Sequence, residues 1–192
     1  DPLPASATWY EVRAILADQS DLYVGGLTSG GGTGNRVMKW NGIQWQQLGG
    51  QFNGDVNTII KSGSDIIAAG TIGPTSSDIV ARWNGTSWAP IGDSFGGRVY
   101  NVAVYQGSLY AAGTFTSVGA QSCNRIAKWN GTQWQPVDVG VNGTILAMAV
   151  YNNELYVGGQ FSTAGGPSST ALNIARWNGS FWSALSPDGV SG

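Results

Sequence analysis

The side chains that could do chemistry in this sequence are mainly hydroxyls and amides, which lie in or beside stretches rich in Gly, Ser and Thr. Such groups donate and accept hydrogen bonds, which suits a sugar or a peptide ligand, but they supply neither a strong general base nor a soft metal ligand. Variable loops on a fixed frame are the usual place for binding. We expect seven of these residues to contact a ligand: Thr33, Asn35, Thr116, Gln121, Asn124, Ser162 and Ser169.

Other kinds of chemistry are excluded by composition. The 192 residues include no histidine and one cysteine, Cys123, which rules out histidine-based triads, imidazole metal sites and an intramolecular disulfide. We therefore expect no cofactor, no metal and no catalytic residues. Cys123 is interpreted as a small apolar loop residue, with a reactive thiol or a tether as the alternative.

Charge and composition indicate the setting of the protein. Nine Lys and Arg residues stand against eleven Asp and Glu residues, and no basic run favours nucleic acid as a partner. No apolar run reaches the length of a membrane span. The few lysines, the many Gly, Ser, Thr and Trp residues and the polar, leaderless start are typical of a mature exported protein, so we expect an extracellular or cell-surface location.

Four Asn-Gly-Thr/Ser triplets could accept N-glycans in a eukaryotic secretory route. Turn formation by Asn and Gly explains at least three of them without a sugar. The triplets begin at Asn84, Asn130, Asn142 and Asn178.

The elements that must position these residues come from internal repetition. After an extension or linker of residues 1–11, four copies follow at 12–55, 56–98, 99–144 and 145–192. Each copy closes on Trp-Asn-Gly-x-x-Trp, with the tryptophans at Trp40 and Trp45, Trp83 and Trp88, Trp129 and Trp134, and Trp177 and Trp182.

Each copy reads as four antiparallel strands, A to D, because its segments are short, rich in β-branched and aromatic residues, and bounded by Gly, Asn, Asp and Ser. Four-stranded units of this length are typical of β-propeller blades. The sequence therefore predicts an all-β propeller. The B–C loops and the D–A connections should lie on one face of it.

The Asn-Gly dipeptides predict two-residue type I′ turns between strands C and D. Such a turn at Asn41-Gly42 would place Trp40 opposite Ile43 and Met38 opposite Trp45. In the other copies an alanine would then face the second tryptophan, and we favour core packing for these indoles over an aromatic sugar platform. The alanines are Ala81, Ala127 and Ala175.

A recurring basic residue precedes the first tryptophan of each copy, and the residue that opens strand B is acidic in three copies. Because strands B and C are antiparallel, we expect structural ion pairs between them, with a charged ring for ligand capture as the alternative. The pairs are Asp21–Lys39, Asp65–Arg82 and Glu154–Arg176, with Lys128 facing the neutral Ser108.

The strand end Leu22-Tyr23-Val24-Gly25-Gly26, followed by a variable loop and the Ile-Ala-Lys/Arg-Trp-Asn-Gly strand, resembles a known family. It is similar to the kelch-type repeat of galactose-oxidase-like propellers, and closer to the extracellular kelch-like repeats of bacterial secreted proteins and fungal cell-surface polarity proteins. The resemblance covers residues 12–185 and implies a scaffold that displays loops to a partner. It does not imply the oxidase, whose copper site needs histidines.

Several alternatives remain open at this point. The four copies could close a four-bladed ring, form part of a longer propeller, or join a second chain or neighbouring domains in a larger ring. We expect a non-catalytic surface module that binds a protein or a glycan, or a rigid unit of a larger surface assembly. A lectin with one sugar site per blade and a carbohydrate-active enzyme are the alternative functions.

Overall fold

A computed structural model describes residues 9–28, 37–49, 54–72 and 77–185 of the chain, and this part contains strands and no helix. The expected all-β class is confirmed. The strands are β1 (Trp9–Asp18), β2 (Asp21–Thr28), β3 (Val37–Trp40), β4 (Trp45–Gln47), β5 (Val56–Ser62), β6 (Asp65–Gly70), β7 (Ile79–Trp83), β8 (Trp88–Pro90), β9 (Val99–Tyr105), β10 (Ser108–Gly113), β11 (Ser117–Val118), β12 (Gln121–Ser122), β13 (Ile126–Trp129), β14 (Trp134–Pro136), β15 (Thr144–Tyr151), β16 (Glu154–Gln160), β17 (Ile174–Trp177) and β18 (Trp182–Ala184).

Each repeat forms one four-stranded antiparallel sheet in which successive strands are neighbours. The sheets are β1-β2-β3-β4, β5-β6-β7-β8, β9-β10-β13-β14 and β15-β16-β17-β18. In the third repeat, the loop between the second and third long strands contains a small hairpin, β11-β12, which is a fifth sheet of two strands. The sequence did not predict this hairpin.

The chain divides into two compact units, residues 1–91 and 92–192. In the first unit, the core lies between the first and second sheets and includes Tyr23, Leu48, Val56 and Ile59. In the second unit, the core between the third and fourth sheets is formed by residues such as Tyr105, Tyr110, Ile145, Leu155 and Trp182. Two adjacent sheets thus bury apolar side chains that one sheet alone would leave exposed to solvent.

The first strand begins earlier than the sequence predicted. Trp9 pairs with Thr28 and Glu11 pairs with Leu27, so three residues that we expected in the linker belong to β1. The pairing shifts between Trp9 and Glu11 and again further along the strand. A bulge lets a strand stay paired while its side-chain alternation is broken, which hides the start of β1 from a periodicity argument.

The predicted type I′ turn is wrong. Residues Asn41 to Gln44 form a four-residue loop, in which the Asn41 side-chain Oδ1 accepts hydrogen bonds from the backbone N–H groups of Ile43 and Gln44, each at 2.9 Å. Gly42 has a φ of 91°, and Asn41 is not among the residues with positive φ. Asn therefore acts through its side chain, as an Asx turn, and only the glycine uses the left-handed region.

This longer turn changes which residues face each other across strands C and D. Trp40 lies opposite Trp45, and Met38 lies opposite Gln47. The expected pairing of an alanine with the second tryptophan is wrong in the other repeats for the same reason. The observed pairs are Trp83 with Trp88, Trp129 with Trp134, Trp177 with Trp182, Ala81 with Pro90, Ala127 with Pro136 and Ala175 with Ala184.

Candidate functional site

The paired tryptophans pack against each other in every repeat. Their ring centroids lie 5.3 to 5.5 Å apart, in tilted arrangements. The Nε1–H of Trp88 donates to the carbonyl of Leu48 in the preceding repeat at 2.8 Å, and the Nε1–H of Trp182 donates to the carbonyl of Val137 at 3.4 Å. In these two pairs, the second indole therefore hydrogen-bonds to the backbone of the adjacent repeat. This contact favours core packing over a sugar platform.

The three expected ion pairs are present between strands B and C. Lys39 Nζ lies 2.7 Å from Asp21 Oδ2, and this hydrogen bond raises the pKa of Lys39. In the other two pairs, Arg82 Nε lies 3.2 Å from Asp65 Oδ2 and Arg176 Nη1 lies 3.0 Å from Glu154 Oε2. All of them are solvent-accessible, so water and salt screen the attraction and each pair contributes little to stability.

Lys128 occupies the same position as Lys39 in a repeat where serine replaces the acidic residue. Its Nζ lies 5.8 Å from the centroid of the Tyr110 ring. Lys39 lies over the ring of Tyr23 at 5.7 Å in the same manner. The aromatic ring of strand B thus stabilises the cation even where Ser108 provides no charge.

A cleft with a volume of about 490 Å³ lies in the second unit. It is formed by the B–C loops of the third and fourth repeats together with the D–A connection between them. All three segments belong to the face where the sequence predicted binding. The lining residues are Asn124, Arg125, Val139, Gly140, Val141, Asn142, Thr163, Gly166 and Pro167.

The D–A connection is held tightly against the third repeat's loop. Asn124 Nδ2 donates to the carbonyl of Val139 at 2.9 Å, and the N–H of Val141 donates to the carbonyl of Asn124 at 3.3 Å. A Cβ at Gly140 would lie 2.1 Å from that same carbonyl oxygen, and Gly140 has a φ of 73°. Only glycine allows this approach.

The other wall of the cleft is fixed by Asn142. Its Oδ1 accepts hydrogen bonds from the backbone N–H groups of Ser162 at 2.9 Å and Thr163 at 3.0 Å, while its Nδ2 donates to Ser162 Oγ at 2.8 Å. The N–H of Gly165 also donates to the carbonyl of Gly140 at 2.9 Å. The cleft is therefore preformed by contacts between its own walls.

Arg125 supplies the formal charge among the residues that line this cleft. It has a φ of 67°, in the left-handed region, and its guanidinium donates to the carbonyl of Thr114. This bond uses one of five N–H donors and fixes the side chain, so the remaining donors suit a carboxylate or a carbonyl. Val139, which is exposed, adds an apolar contact.

The expected ligand-binding residues do not all meet at the cleft. Asn124 lines it. Ser162 is exposed beside it and is bonded to Asn142, whereas Ser169 and Thr116 are exposed elsewhere on their loops. Gln121 lies on β12 and borders a separate cleft of about 250 Å³ with Asp93, Gln133 and Trp134. Thr33 and Asn35 lie outside the described residues.

The sequence placed these loops on the binding face, but the residues expected to contact a ligand did not include Arg125 or any residue of the D–A connection or of the Thr163 to Pro167 segment. One signal was available for the arginine, because the dipeptide Asn-Arg precedes strand C in two repeats, at Asn35-Arg36 and Asn124-Arg125. The D–A connection gave no such signal. Its role depends on backbone carbonyls and glycines, whose position a sequence does not reveal.

Cys123 lies in the loop beside the cleft wall and is buried. Its N–H donates to the carbonyl of Thr116 at 2.9 Å. Burial raises the pKa of the Cys123 thiol to about 11. At neutral pH this thiol is therefore protonated and a poor nucleophile, in keeping with the role of a small apolar residue.

The asparagines of the four possible glycosylation triplets use their side chains in the fold. Asn84, Asn130 and Asn178 each accept two backbone N–H groups in the C–D turn, at 2.9 to 3.0 Å. Asn142 instead binds Ser162 and Thr163, as described above. Asn130 and Asn84 are exposed. Glycosylation of these sites stays a prediction.

In the described residues, no group of three or more His, Cys, Asp or Glu side chains is placed to bind a metal ion. Across those same ranges, no helix has the length and apolar character needed to cross a membrane.

Comparison with known proteins gives a likeness in fold alone. No protein-family model matches the sequence, and no curated protein matches it. Among solved structures, the chain is similar to part of the acylaminoacyl peptidase of Pyrococcus horikoshii, with a TM-score of 0.56 and 12% sequence identity. The match covers 90% of this chain and 26% of that one, so the chain spans about a quarter of the peptidase.

Proposed function

We propose that this chain is a non-catalytic, exported or cell-surface β-propeller module that binds a partner through the loop face of its repeats. Support for the propeller comes from four sequence repeats that each form one four-stranded antiparallel sheet. The kelch-like pattern of Gly-rich strand ends and paired tryptophans agrees with the same architecture. A propeller holds many unrelated functions, so the function must come from the site.

One observation carries the binding proposal. The frame of each repeat is the same, whereas the B–C loops differ, and two of these different loops enclose the 490 Å³ cleft with Arg125 and Asn124 in its wall. Its volume falls in the usual range for ligand pockets. Constant strands and variable loops are the arrangement by which rigid scaffolds present binding residues.

The chemistry of the cleft favours a segment of a partner protein over a glycan. Arg125 offers N–H donors, the backbone of residues 139–142 forms one wall, and Val139 and Pro167 provide apolar surface. No aromatic residue is among the described lining residues, although aromatic faces are what sugars usually stack upon. A polar peptide with an acidic side chain fits this combination of donors and apolar contacts.

A binding experiment with two probe panels tests the proposal. Short acetylated peptides, acidic and neutral, and a panel of oligosaccharides are titrated into ¹⁵N-labelled protein. We expect acidic peptides to shift the amide resonances of residues 124–125, 139–142 and 163–167, and Arg125→Gln to weaken binding by about tenfold. The control Arg82→Gln, which changes an arginine of the other unit, should bind as the wild type does.

Three results would contradict this function. Binding by neither panel would remove the cleft as a ligand site, and shifts confined to other loops would move the site elsewhere. Saturation by sugars in preference to peptides would make the glycan the partner.

For the location, the native protein should be released by mild washing or protease treatment of intact cells, and its recovery only from the cytosol would contradict export.

A further inference from the structure

The two faces of each sheet have different neighbours along the chain. We call the face towards the following repeat the trailing face, and the face towards the preceding repeat the leading face. In the first unit, Tyr23 and Leu48 on the trailing face of the first repeat share a core with Val56 and Ile59 on the leading face of the second. Tyr105 and Val137 of the third repeat contribute in the same way to a core with the fourth repeat, which includes Ile145 and Leu155.

On the trailing face of the fourth repeat, two side chains whose counterparts in the third repeat are buried are exposed within the described part of the chain. Leu185 follows strand D and is 46% exposed, whereas the residues at the same position in the first and third repeats, Leu48 and Val137, are 5% and 3% exposed. Tyr151 is 64% exposed, against 1% for Tyr105 at the same position of the third repeat. Exposed apolar side chains at positions that another repeat buries mark an interaction site.

On the leading face of the first repeat, two side chains of β1 are exposed, whereas Val24 and Met38 on the same face are buried. Val12 and Ile15 are 39% and 67% exposed. In the second repeat, the residues in the same register are Val56 and Ile59, which are buried. The first repeat thus presents to solvent the same two side-chain types that the second repeat buries.

The exposed side chains of β1 match the trailing face of the fourth repeat in shape at one glycine. A Cβ at Gly25 would lie 2.6 Å from Val56 Cγ1 and 2.8 Å from Ile59 Cδ1, so both side chains fill the space in front of that glycine. The fourth repeat has Gly158 at the same position, where a Cβ would meet nothing nearer than the carbonyl oxygen of Asn173 at 3.8 Å. The recess that accepts a Val and an Ile is present there and open.

From this match we propose that the trailing face of the fourth repeat binds the leading face of the first repeat of a second copy of the chain. Val12 and Ile15 of one copy enter the recess at Gly158 of the other. The contact continues the repeat-to-repeat packing already described and leaves the cleft at Arg125 out of the interface. It is therefore independent of the proposed function.

A polar contact supports the same alignment of the two copies. In the third repeat, the Tyr105 hydroxyl donates to the carbonyl of Asn153, in the A–B turn of the fourth repeat, at 3.1 Å. Tyr151 has the position of Tyr105, and Ser20 has that of Asn153. The Tyr151 hydroxyl is then placed to donate to the Ser20 carbonyl of the second copy.

The contact is heterologous, because it joins two different faces. Light scattering after size exclusion should therefore give about 40 kDa, twice the chain mass of 20.0 kDa, or a larger concentration-dependent assembly. Ile15→Asp removes the leading face and Gly158→Leu fills the recess of the trailing face. Each should raise the dissociation constant of self-association by about tenfold or more. Tyr151→Asp is a second trailing-face variant.

A mixing experiment gives the most specific result. Ile15→Asp keeps an intact trailing face and Gly158→Leu keeps an intact leading face, so their mixture should recover a dimer that neither forms alone. Ile43→Asp, an exposed C–D turn variant on neither face, should assemble as the wild type does. Tryptophan fluorescence and circular dichroism confirm that the variants are folded.

Three outcomes overturn the proposal. The first is a wild-type chain that stays at 20 kDa at its highest soluble concentration. The second is folded face variants that assemble as the wild type does. The third is a mixture of the two variants that gives no dimer, which would mean that the trailing face of one copy does not bind the leading face of another.

Discussion

At the scale of single residues, one side chain per turn decides how strands C and D connect. Asn130 Oδ1 accepts hydrogen bonds from the N–H groups of Thr132 and Gln133, each at 2.9 Å. Asn130→Ala should lower the free energy of unfolding by about 1 kcal/mol, as the loss of a capping side chain does. Asn130→Asp keeps the acceptor oxygen and should cost less.

Urea denaturation of the two variants measures this difference. Asn130→Asp also removes the glycosylation triplet, so it serves as the control in a eukaryotic host. Equal losses of stability in both variants would show that the side-chain oxygen does not hold the turn.

The burial of the Cys123 thiol leads to a prediction about how fast the thiol is alkylated at a given pH. Burial raises its pKa to about 11, so at pH 8 about one molecule in a thousand carries the thiolate, against about a quarter of unfolded chains. Alkylation by iodoacetamide should be at least about 100-fold slower in the folded protein. A rate equal to that in urea would contradict the burial.

The same pKa has a consequence for stability. Because the folded state holds the proton more tightly, the contribution of Cys123 is complete below the pKa of the unfolded thiol, and it is lost as the pH rises through about 11. Cys123→Ala should remove this part of the alkaline loss of stability, measured by thermal unfolding between pH 8 and 11.

At the scale of elements, glycines after strand D let the next repeat approach. A Cβ at Gly49 would lie 2.8 Å from Trp83 Cζ3 and 2.8 Å from Trp88 Cδ1. Gly42 has a similar positive φ, 91° against 84°, but nothing lies within 4 Å of its Cβ position. A substitution at Gly42 therefore tests backbone strain alone, whereas the same substitution at Gly49 tests backbone strain together with packing against the indoles.

Gly42→Ala should cost about 1 to 2 kcal/mol, the cost of a left-handed residue with a Cβ. Gly49→Ala should cost more, by a further 1 to 3 kcal/mol or so, because the indoles of the second repeat must move. Chemical denaturation gives both values. A cost at Gly49 no larger than that at Gly42 would mean that the tryptophans adapt freely.

The elements themselves were largely predictable from the sequence. Repetition and strand punctuation predicted four strands per copy, and the acidic residue that opens strand B predicted the pairs at Asp21, Asp65 and Glu154. The turn at Asn41 was wrong because Asn-Gly fits two kinds of turn, and only the number of paired residues distinguishes them. The cleft at Arg125 could not be derived, since it depends on how three separate loops meet.

At the scale of the whole molecule, the first strands of the two repeats in the second unit, β9 and β15, differ in how much of each is buried. Three residues of β9 are buried, whereas most of β15 faces solvent. Local opening is easier where few apolar contacts must be broken. In the monomeric Ile15→Asp variant, amides of β15 should exchange with deuterium faster than those of β9, as mass spectrometry of peptides would measure. Equal protection would show that β15 is covered within one chain.

The indole bond between Trp88 and the Leu48 carbonyl, repeated between Trp182 and Val137, joins the second repeat to the first and the fourth repeat to the third by the same atoms. A gene that gained or lost one whole repeat by unequal recombination would recreate this bond at the new junction. The architecture therefore tolerates tandem duplication better than it tolerates a change of length inside a strand. We therefore expect the number of repeats to change more readily than the contact that joins them.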